Sequence, residues 1–541
     1  MEKYYQAEIS QAMGRPEFYP HPVAAVIEQR ETHISRVFLT GPYAYKMKKP
    51  VNLGFLDFST LADRHYFCRQ EVNLNRRLSH NVYLKVVAIT REGERFSLNG
   101  PGEPVEYAVK MRQLPWERSL FHLMTKGLIT GADFEELALT LAGFYRQSPT
   151  DRYIKSFGSW ERIWGNCEEN FRQTEEFAGE ILDESMFHLI RQATRSFMER
   201  RRELFEYRQE TGKIRDCHGD LRSGHIYFLD GLQIIDCLEF NDRFRYSDIS
   251  SDLAFLAMDL DYEGQSQAAH IFLEAYTRYS KDYELFVLLD FYKCYRAYVR
   301  VKVNCIRLRE DNLGEEEEKR VREKISRYLF LAWRYAVQCI RPALLVVCGL
   351  PGSGKTTIAG QLSRAFRIKV FHSDVIRKAL FGLQPNQPMD TAYGKGIYSK
   401  EAGRLTYGRL LFLAQEEIKK NSSVILDATY GSRHNRQEVL RLARDMDVNL
   451  LFIECQGPDQ VLKKRLEARE AEYSISDARI RHFEQIKAHF EPLHEVNDEL
   501  HISIQTDLPL EENLHHLHTR AYMLSTRQTG SLLQRSNFSI P

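Results

Sequence analysis

Long hydrophobic runs are missing from this sequence, and so is an excess of charge of either sign. The longest apolar stretch, ALLVVCGL at residues 343–350, is far too short to cross a bilayer. The N-terminal MEKYYQAEIS lacks the basic and apolar regions of a secretory signal, so we expect none. The 75 Lys and Arg are balanced by 74 Asp and Glu, and a net charge of +1 gives no overall attraction to nucleic acid or membrane. These absences predict a cytoplasmic protein.

Paired cysteines are also missing. The nine cysteines are scattered without C-x-x-C spacing, which argues against a disulfide framework and against a zinc site. A chain of 541 residues is too long for one core and predicts several domains. Arg341-Pro342 ends a helical pattern and the strand pattern ALLVVCG follows, so we predict domains at residues 1–340 and 341–520 and a flexible tail at 521–541.

A phosphate-binding loop is the strongest local pattern. GLPGSGKT at residues 349–356 fits G-x-x-x-x-G-K-[ST], with a predicted strand before it and a predicted helix after it. The glycines let successive backbone N–H groups face a β-phosphate, the lysine adds a positive charge, and the threonine hydroxyl completes a magnesium site. We therefore predict that ATP and Mg²⁺ bind at Gly349, Pro351, Gly352, Ser353, Gly354, Lys355, Thr356 and Thr357.

Acidic residues at the ends of predicted strands complete this second domain. The strands ALLVVCG, IKVFHSD, SVILDAT and NLLFIEC alternate with helices, which predicts a parallel sheet. Asp427 ends one strand and suits a metal ligand beside Thr356. Asp374 ends another, where it could accept a hydroxyl proton, and Arg377 one turn later could steer the acceptor or its phosphate.

Two arginines at i, i+4, Arg465 and Arg469, share one helix face that could close over the phosphates. The alternative is surface pairing with the glutamates of the same helix. With the motifs above, this half resembles P-loop kinases that phosphorylate small hydroxylated acceptors, among them polynucleotide 5′-kinases, zeta-toxin-like kinases, gluconate-kinase-like enzymes and chloramphenicol phosphotransferase. The resemblance implies that Asp374 is the base and that Arg377 holds the acceptor.

A second phosphotransfer pattern lies in the first half, in CHGDLRSGHIYF at residues 217–228. His218, Asp220 and Asp236 follow the order of a kinase catalytic loop and its metal-binding aspartate. The Asp-Gly turn at residues 230–231 predicts a hairpin that brings the two aspartates together. Asp220 would accept the acceptor proton, and Asp236 would hold the metal.

A lysine must neutralise the ATP phosphates at this first site, and a glutamate must hold that lysine. Lys46 in AYKMKK is our choice over Lys48 and Lys49, because Ala44 and Lys46 share a strand face as the corresponding pair does in kinases. Glu71 on the following predicted helix is the expected partner, with a surface salt bridge as the alternative.

Residues from about 30 to 335 resemble the aminoglycoside phosphotransferase-like kinases, through HGD, IID and SDISSDLAFL. This implies a protein-kinase-like α+β fold, with a small lobe at about 30–115 and a large lobe at about 116–340. Together with THISRVFLTGPYAYKMKKPV and GFLDFS, the whole chain resembles the bacterial group of bifunctional aminoglycoside phosphotransferase/ATP-binding proteins. We thus expect an α+β kinase-like domain followed by an α/β P-loop domain.

His225 stands where a kinase catalytic loop has a metal-binding asparagine. An imidazole suits manganese or zinc better than magnesium. Three alternatives stay open: Asp236 carries the metal almost alone, His225 binds a softer ion such as Mn²⁺, or this domain is a degenerate nucleotide sensor.

The function that these patterns predict is an ATP-dependent kinase with two sites, each phosphorylating a hydroxyl group of a small molecule. One alternative is a regulatory protein whose first domain senses a ligand and gates the P-loop kinase. Another is a polynucleotide 5′-kinase, against which the near-zero net charge and the lack of interleaved basic and aromatic residues argue. The arginines at 200–202 alternate with glutamates, which favours a solvated helix face over a nucleic-acid site. Neither acceptor nor the oligomeric state follows from the sequence.

Overall fold

The computed structural model describes residues 2–535 apart from 25, 310–312, 386, 388–393 and 471–479, and the side chains of 2–5, 469–470 and 529–535 lie outside the described part. The chain divides into two compact units. Unit 1 consists of Met1–Asn166 and Phe205–Tyr279, and unit 2 consists of Cys167–Leu204 and Ser280–Pro541.

Helices and strands cover most of both units. The helices are α1 (Glu2–Met13), α2 (Leu61–Asn75), α3 (Leu120–Thr125), α4 (Gly131–Gln147), α5 (Arg152–Ser156), α6 (Trp160–Thr174), α7 (Glu184–Arg200), α8 (Arg202–Glu210), α9 (Asp242–Arg245), α10 (Ile249–Tyr262), α11 (Ser266–Ser280), α12 (Leu285–Arg307), α13 (Glu315–Ile340), α14 (Lys355–Phe366), α15 (Ser373–Leu380), α16 (Lys400–Lys419), α17 (Arg433–Asp445), α18 (Asp459–Glu470), α19 (Phe483–Ala488) and α20 (Leu510–Arg535). The strands are β1 (Glu28–Glu31), β2 (Ser35–Leu39), β3 (Tyr43–Lys48), β4 (Tyr83–Glu92), β5 (Arg95–Leu98), β6 (Glu103–Arg112), β7 (Ile214–Asp216), β8 (Ile226–Phe228), β9 (Leu232–Ile234), β10 (Tyr246–Asp248), β11 (Ala343–Cys348), β12 (Lys369–His372), β13 (Val424–Asp427), β14 (Asn449–Gln456) and β15 (His501–Gln505). In the described part of the chain, no helix combines the length and the apolar character that crossing a bilayer needs.

Unit 1 contains a six-stranded antiparallel sheet in the order β1-β2-β3-β6-β4-β5. Side chains alternate along β3, so Tyr45 and Met47 join an apolar cluster with residues of α1. Lys46 and Lys48 therefore share the opposite face of the strand. Helix α2 packs against β4 and β6 through Cys68 and other apolar residues. This arrangement confirms the kinase-like α+β expectation and turns two lysines toward a helix that carries a glutamate.

The hairpin predicted from Asp-Gly is present as β8 and β9, in which Ile226 pairs with Ile234. Asp230 and Gly231 have φ values of 53° and 88°, the left-handed conformation that the turn needs. Because β8 follows His225 directly and β9 ends just before Asp236, the hairpin brings these two residues together.

Unit 2 contains a five-stranded parallel sheet in the order β12-β13-β11-β14-β15. One face packs on an apolar cluster that includes α14 and α20, and the other packs on α16 and α17. The predicted α/β P-loop fold is thereby confirmed. Strand β15 was not among the predicted strands, because only Ile502 and Ile504 of its five residues are buried.

The C-terminal segment differs from the flexible tail expected at 521–541. Helix α20 continues to Arg535. Leu517 and Leu524 are buried against the sheet, and the Tyr522 hydroxyl donates to Asp290 at 2.8 Å. Burial against the sheet, which the polar composition does not reveal, keeps this segment helical. Residues 536–541 lie outside the described part.

The arginines at 200–202 are more than a solvated face. Arg201 follows the end of α7 and donates to the carbonyl oxygens of Phe366 and Arg367, at 3.0 and 3.2 Å. Arg200 donates to the carbonyl of Asn421 at 2.7 Å. Burial lowers the pKa of the Arg201 guanidinium to about 10. A cation at the C-terminal end of α14 is favourable because the helix dipole is negative there.

Candidate active sites

The loop between β11 and α14 has the shape that a phosphate cradle needs. Gly349, Gly352 and Gly354 have φ values of 133°, 79° and 82°. A Cβ at Gly349 would collide with the carbonyl oxygen of Cys455, and one at Gly352 would lie 2.6 Å from that of Leu462. Glycine is required at both positions for conformation and for space. Among the other predicted loop residues, Pro351 and Ser353 are buried and Thr357 is exposed.

The predicted metal ligands of this loop lie side by side. The Thr356 hydroxyl donates to Asp427 at 2.8 Å, and His372 Nδ1 lies 2.8 Å from the same carboxylate oxygen. Val347, His372 and Asp427 pair across adjacent parallel strands, so all three strands end at the same edge. Lys355 Nζ donates to the carbonyl of Leu350 at 2.8 Å. A hydroxyl and a carboxylate are the hard oxygen donors that Mg²⁺ prefers, so these residues fit the ion.

Asp374 and Arg377 form an ion pair in the first turns of α15, with 2.8 Å between Arg377 Nη1 and Asp374 Oδ1. The Arg377 guanidinium also lies over the ring of Tyr398, with 4.8 Å to the ring centroid. Asp374 follows His372 by two residues, which places the pair beside the carboxyl edge of the sheet. The structure thus brings together the predicted base and the predicted acceptor-binding arginine.

Arg465 of α18 reaches the loop indirectly. Its guanidinium donates to the side chain and to the carbonyl of Thr506, at 3.0 and 2.6 Å. Thr506 would lie 3.7 Å from a Cβ added at Gly354, so it borders the end of the P-loop. The Arg469 side chain lies outside the described residues.

The first-half site is a network of ion pairs. Lys46 Nζ lies 2.8 Å from Glu71 Oε1 and 2.7 Å from Asp236 Oδ1. Lys48 Nζ lies 2.8 Å from the other Glu71 oxygen, whereas Lys49 pairs with Glu31 at 2.6 Å. Burial opposes charge on Asp236, but Lys46, His225 and Arg222 together outweigh burial and hold the pKa of the carboxyl well below its ordinary value. Of the three lysines considered from the sequence, Lys46 is thus the one that contacts the predicted metal ligand.

Asp252 fixes the backbone of the catalytic-type loop. Its carboxylate accepts from the backbone N–H groups of His218 and Gly219, at 2.8 and 2.9 Å, and from the Tyr145 hydroxyl at 2.9 Å. The His218 ring contacts the carbonyl of Ile235 at 3.0 Å, next to Asp236. Burial lowers the pKa of His218 to about 4, so the ring is neutral near pH 7.

Asp220 lies at the centre of this site with two basic neighbours. The Arg222 guanidinium donates to both of its carboxylate oxygens, each at 2.9 Å. His225 Nδ1 lies 3.6 Å from Asp220 Oδ2, and His225 Nε2 lies 3.7 Å from Asp236 Oδ2. Asp220, His225 and Asp236 form a group that could hold a metal ion. Each offers one nitrogen or oxygen atom that lies within 4.8 Å of the atoms offered by the other two.

Hydrogen bonds determine the tautomer of His225. Its Nδ1 lies 3.0 Å from the Asp220 carbonyl oxygen, which can only accept, so Nδ1 carries the proton. Its Nε2 lies 3.0 Å from Arg222 Nη2, which can only donate, so Nε2 offers a lone pair. That lone pair accepts from Arg222, so Nε2 can bind a divalent ion beside Asp236 only after the Arg222 N–H has moved away.

Sequence reasoning missed Arg222, His372 and Glu239, which contacts Lys48. Each stands two or three residues from a predicted site residue, and that proximity was the available signal. A polar side chain near a site can also serve the fold alone, so spacing did not assign a role to any of these three residues.

Comparisons with known proteins match two domains of the chain. A family model described as Phosphotransferase enzyme family matches residues 130–286, and one described as AAA domain matches residues 344–493. Uncharacterized protein Rv2004c of Mycobacterium tuberculosis is 32% identical over 465 residues, which cover 85% of this chain and 90% of that protein. The chain belongs to the same family as this mycobacterial protein. It is a member of the group that joins an aminoglycoside phosphotransferase-like domain to a P-loop domain.

Two solved structures are also similar to parts of the chain. Aminoglycoside 2′-phosphotransferase-IIIa in its GDP complex is 14% identical, with a TM-score of 0.37, and the match covers 62% of this chain and 98% of that one. A gluconokinase from Sinorhizobium meliloti is 16% identical, with a TM-score of 0.26, and the match covers 37% and 99%. The family membership and the two kinase-type domains support a phosphotransferase of the small-molecule kinase type, and such domains imply the use of ATP.

Proposed function

We propose that this protein is an ATP-dependent phosphotransferase with two nucleotide sites, each of which transfers a γ-phosphoryl group to a hydroxyl group of a small molecule. The observation that carries the proposal is a shared arrangement of charges. Each site has a lysine for the phosphates, a carboxylate suited to a metal and a second carboxylate suited to a base. These sets are Lys355, Asp427 and Asp374 in unit 2, and Lys46, Asp236 and Asp220 in unit 1.

At the P-loop site, backbone N–H groups and Lys355 bind the phosphates, and Thr356 and Asp427 hold Mg²⁺. The bound ion neutralises charge that develops on the transferred group. The oxygen of the acceptor hydroxyl attacks the γ-phosphorus, and ADP leaves. Asp374 accepts the proton of that hydroxyl. Arg377, paired with Asp374 at 2.8 Å, orients that carboxylate and faces an acceptor that carries negative charge.

At the unit 1 site, Lys46 binds the ATP phosphates while Glu71 holds its ammonium group in place. Asp236 would hold the divalent ion, joined by Nε2 of His225 once Arg222 releases that nitrogen, and Asp220 accepts the hydroxyl proton. A carboxylate has about four lone-pair positions, and the two hydrogen bonds from Arg222 use one on each oxygen of Asp220. Arg222 is therefore compatible with a base at Asp220 and adds positive charge where the phosphoryl group moves.

A second candidate for unit 1 is a nucleotide sensor that binds ATP without turnover and gates the P-loop kinase. The specific observation in its favour is that Arg222 contacts both oxygens of the proposed base. Such a site would bind ATP through Lys46 and Asp236 but would leave every acceptor unphosphorylated.

A screen of hydroxylated metabolites and aminoglycosides for ATP consumption tests the proposal. Wild type, Lys355→Ala and Asp236→Ala are compared on each compound. An acceptor whose phosphorylation is lost in one variant and kept in the other assigns that reaction to one site. If no compound raises ADP production above the background of either variant, the two-kinase proposal fails. If only reactions lost in Lys355→Ala are found while unit 1 binds ATP, the sensor candidate replaces it for unit 1.

A further inference from the structure

A second lysine lies deeper in unit 1 than the one that faces the metal ligand. Lys48 is 1% exposed, and its Nζ lies 2.8 Å from Glu71 Oε2 and in contact with Glu239. Glu239 is also buried and follows Asp236 by only three residues. We call Lys46, Lys48, Glu71 and Glu239 the lysine–glutamate cluster.

Glu71 divides its two oxygens between the two lysines. Oε1 contacts Lys46 and Oε2 contacts Lys48, each at 2.8 Å. Lys46 and Lys48 reach the same helix because they share one face of β3. Lys48 thereby links α2 to the segment that follows Asp236, while Lys46 links α2 to Asp236 itself.

The charges of this region show what Lys48 does. Three carboxylates, those of Glu71, Glu239 and Asp236, face two ammonium groups, those of Lys46 and Lys48. A buried charge needs a partner of opposite sign. Without Lys48, two buried glutamates would compete with Asp236 and with the ATP phosphates for Lys46.

We propose that Lys48 is a positioning residue of the unit 1 nucleotide site: it neutralises Glu239 and one oxygen of Glu71, and so leaves Lys46 directed at Asp236 and the phosphates. This inference rests on the proposed nucleotide binding in unit 1. Lys48 pairs with Glu71 and Glu239, whereas Lys46 is the lysine that contacts Asp236. Its role is to keep the cluster neutral.

The surroundings of Lys48 favour a permanent cation. Burial opposes its charge, but Glu239 and Glu71 outweigh burial and raise the pKa of the ammonium group above its ordinary value. The Phe58 ring lies 4.9 Å from Nζ, measured to the ring centroid, and adds a cation–π contact. Burial raises the pKa of Glu239.

ATP binding to unit 1 can be measured by titrating the full chain that carries Lys355→Ala, with Mg²⁺ present, because this substitution disables the P-loop site. Lys48→Met removes the ammonium group and keeps an apolar stem. We expect it to weaken ATP binding by about tenfold, a typical coupling between contacting charges. Adding Glu239→Gln removes the unpaired carboxylate, and we expect the Lys48→Met/Glu239→Gln variant to return to within about threefold of the parent.

The rescue separates positioning from a merely structural role. If Lys48 only supported the fold, the double variant would bind ATP as weakly as Lys48→Met or more weakly, and the proposal would be wrong. Should Lys48→Met fail to fold, the double variant decides alone, because it leaves no unpaired buried charge: ATP binding supports the proposal, and its loss overturns it. Lys49→Met is the matched control, since Lys49 pairs with Glu31 outside the cluster, and its ATP affinity should equal that of the parent.

A crystal structure of the Lys48→Met chain tests the inference without nucleotide. We expect Lys46 to turn from Asp236 toward Glu239. If the parent binds no ATP in unit 1, the proposed function of that unit fails, and this structure still decides the charge-balance argument. Lys46 remaining on Asp236 in the variant would overturn it.

Discussion

The two nucleotide sites are built from different parts of the chain. The P-loop site depends on the backbone of one continuous segment, 349–356, whose glycines have φ values that most residues avoid. The unit 1 site depends on side chains from distant positions, and Lys46 and Asp236 are separated by 190 residues. The P-loop site should therefore be sensitive to larger side chains at its glycines and to loss of Lys355. The unit 1 site should be sensitive to any substitution that changes the balance of charges in its ion-pair network.

Lys355→Ala should have the largest effect. It removes the mobile cation of the P-loop, and we expect turnover at this site to fall by about 10³-fold with the fold retained. Lys369→Ala is the matched control, because Lys369 is exposed and pairs with Glu417 at 3.0 Å. ADP production with a P-loop acceptor measures both. Wild-type turnover in Lys355→Ala would show that the loop does not bind the phosphates of the reacting ATP.

Asp236→Ala should nearly abolish binding of metal–ATP in unit 1. It removes the carboxylate that contacts Lys46 and lies near His225 Nε2, and we expect a loss of affinity of more than about 10²-fold. Titration in the Lys355→Ala background measures the effect. P-loop turnover of the single Asp236→Ala variant serves as the internal control and should be unchanged. ATP affinity equal to that of the parent would contradict a metal role for Asp236.

Asp374→Asn separates chemistry from binding at the P-loop site. The amide cannot accept the hydroxyl proton, so phosphoryl transfer should fall by about 10²-fold while ATP affinity stays near the wild-type value. Steady-state turnover and ATP titration are compared on the same preparation. Loss of ATP affinity instead would place Asp374 at the metal and leave the base to another group.

His225→Asn should have the smallest effect, on the choice of metal in unit 1. An asparagine oxygen replaces the Nε2 lone pair, so ATP affinity with Mg²⁺ should be kept or raised. If His225 binds the metal, the ratio of affinities with Mn²⁺ and with Mg²⁺ should fall by about threefold. An unchanged ratio would mean that Asp236 carries the metal almost alone.

What the sequence could predict depended on how local each feature is. The P-loop is contiguous, and the start of α2 at Leu61 follows from the N-cap Thr60, whose side chain accepts from the Asp63 N–H. Alternation along β3 favoured Lys46, because Lys46 shares a strand face with Ala44 as the corresponding pair does in kinases. The same alternation applies to Lys48, but a contact of Glu71 with both lysines depends on side-chain positions that the sequence does not reveal.

The features that were missed depend on tertiary packing. Strand β1 reads EQRE and is exposed throughout, so it has no apolar pattern to recognise. Helix α20 extends into a polar segment because Tyr522 and its apolar neighbours are buried against other elements of unit 2. The fork between Arg222 and Asp220 depends on side-chain direction within a loop, which residue spacing does not determine.

The number of ATP molecules that bind to the full chain tests the central claim most directly. Equilibrium titration with Mg²⁺ should give two sites for wild type, one for Lys355→Ala and one for Asp236→Ala. The double variant should give none. A single site in wild type that Lys355→Ala alone abolishes would contradict the account, because unit 1 would then have the charges of a kinase site without binding the nucleotide.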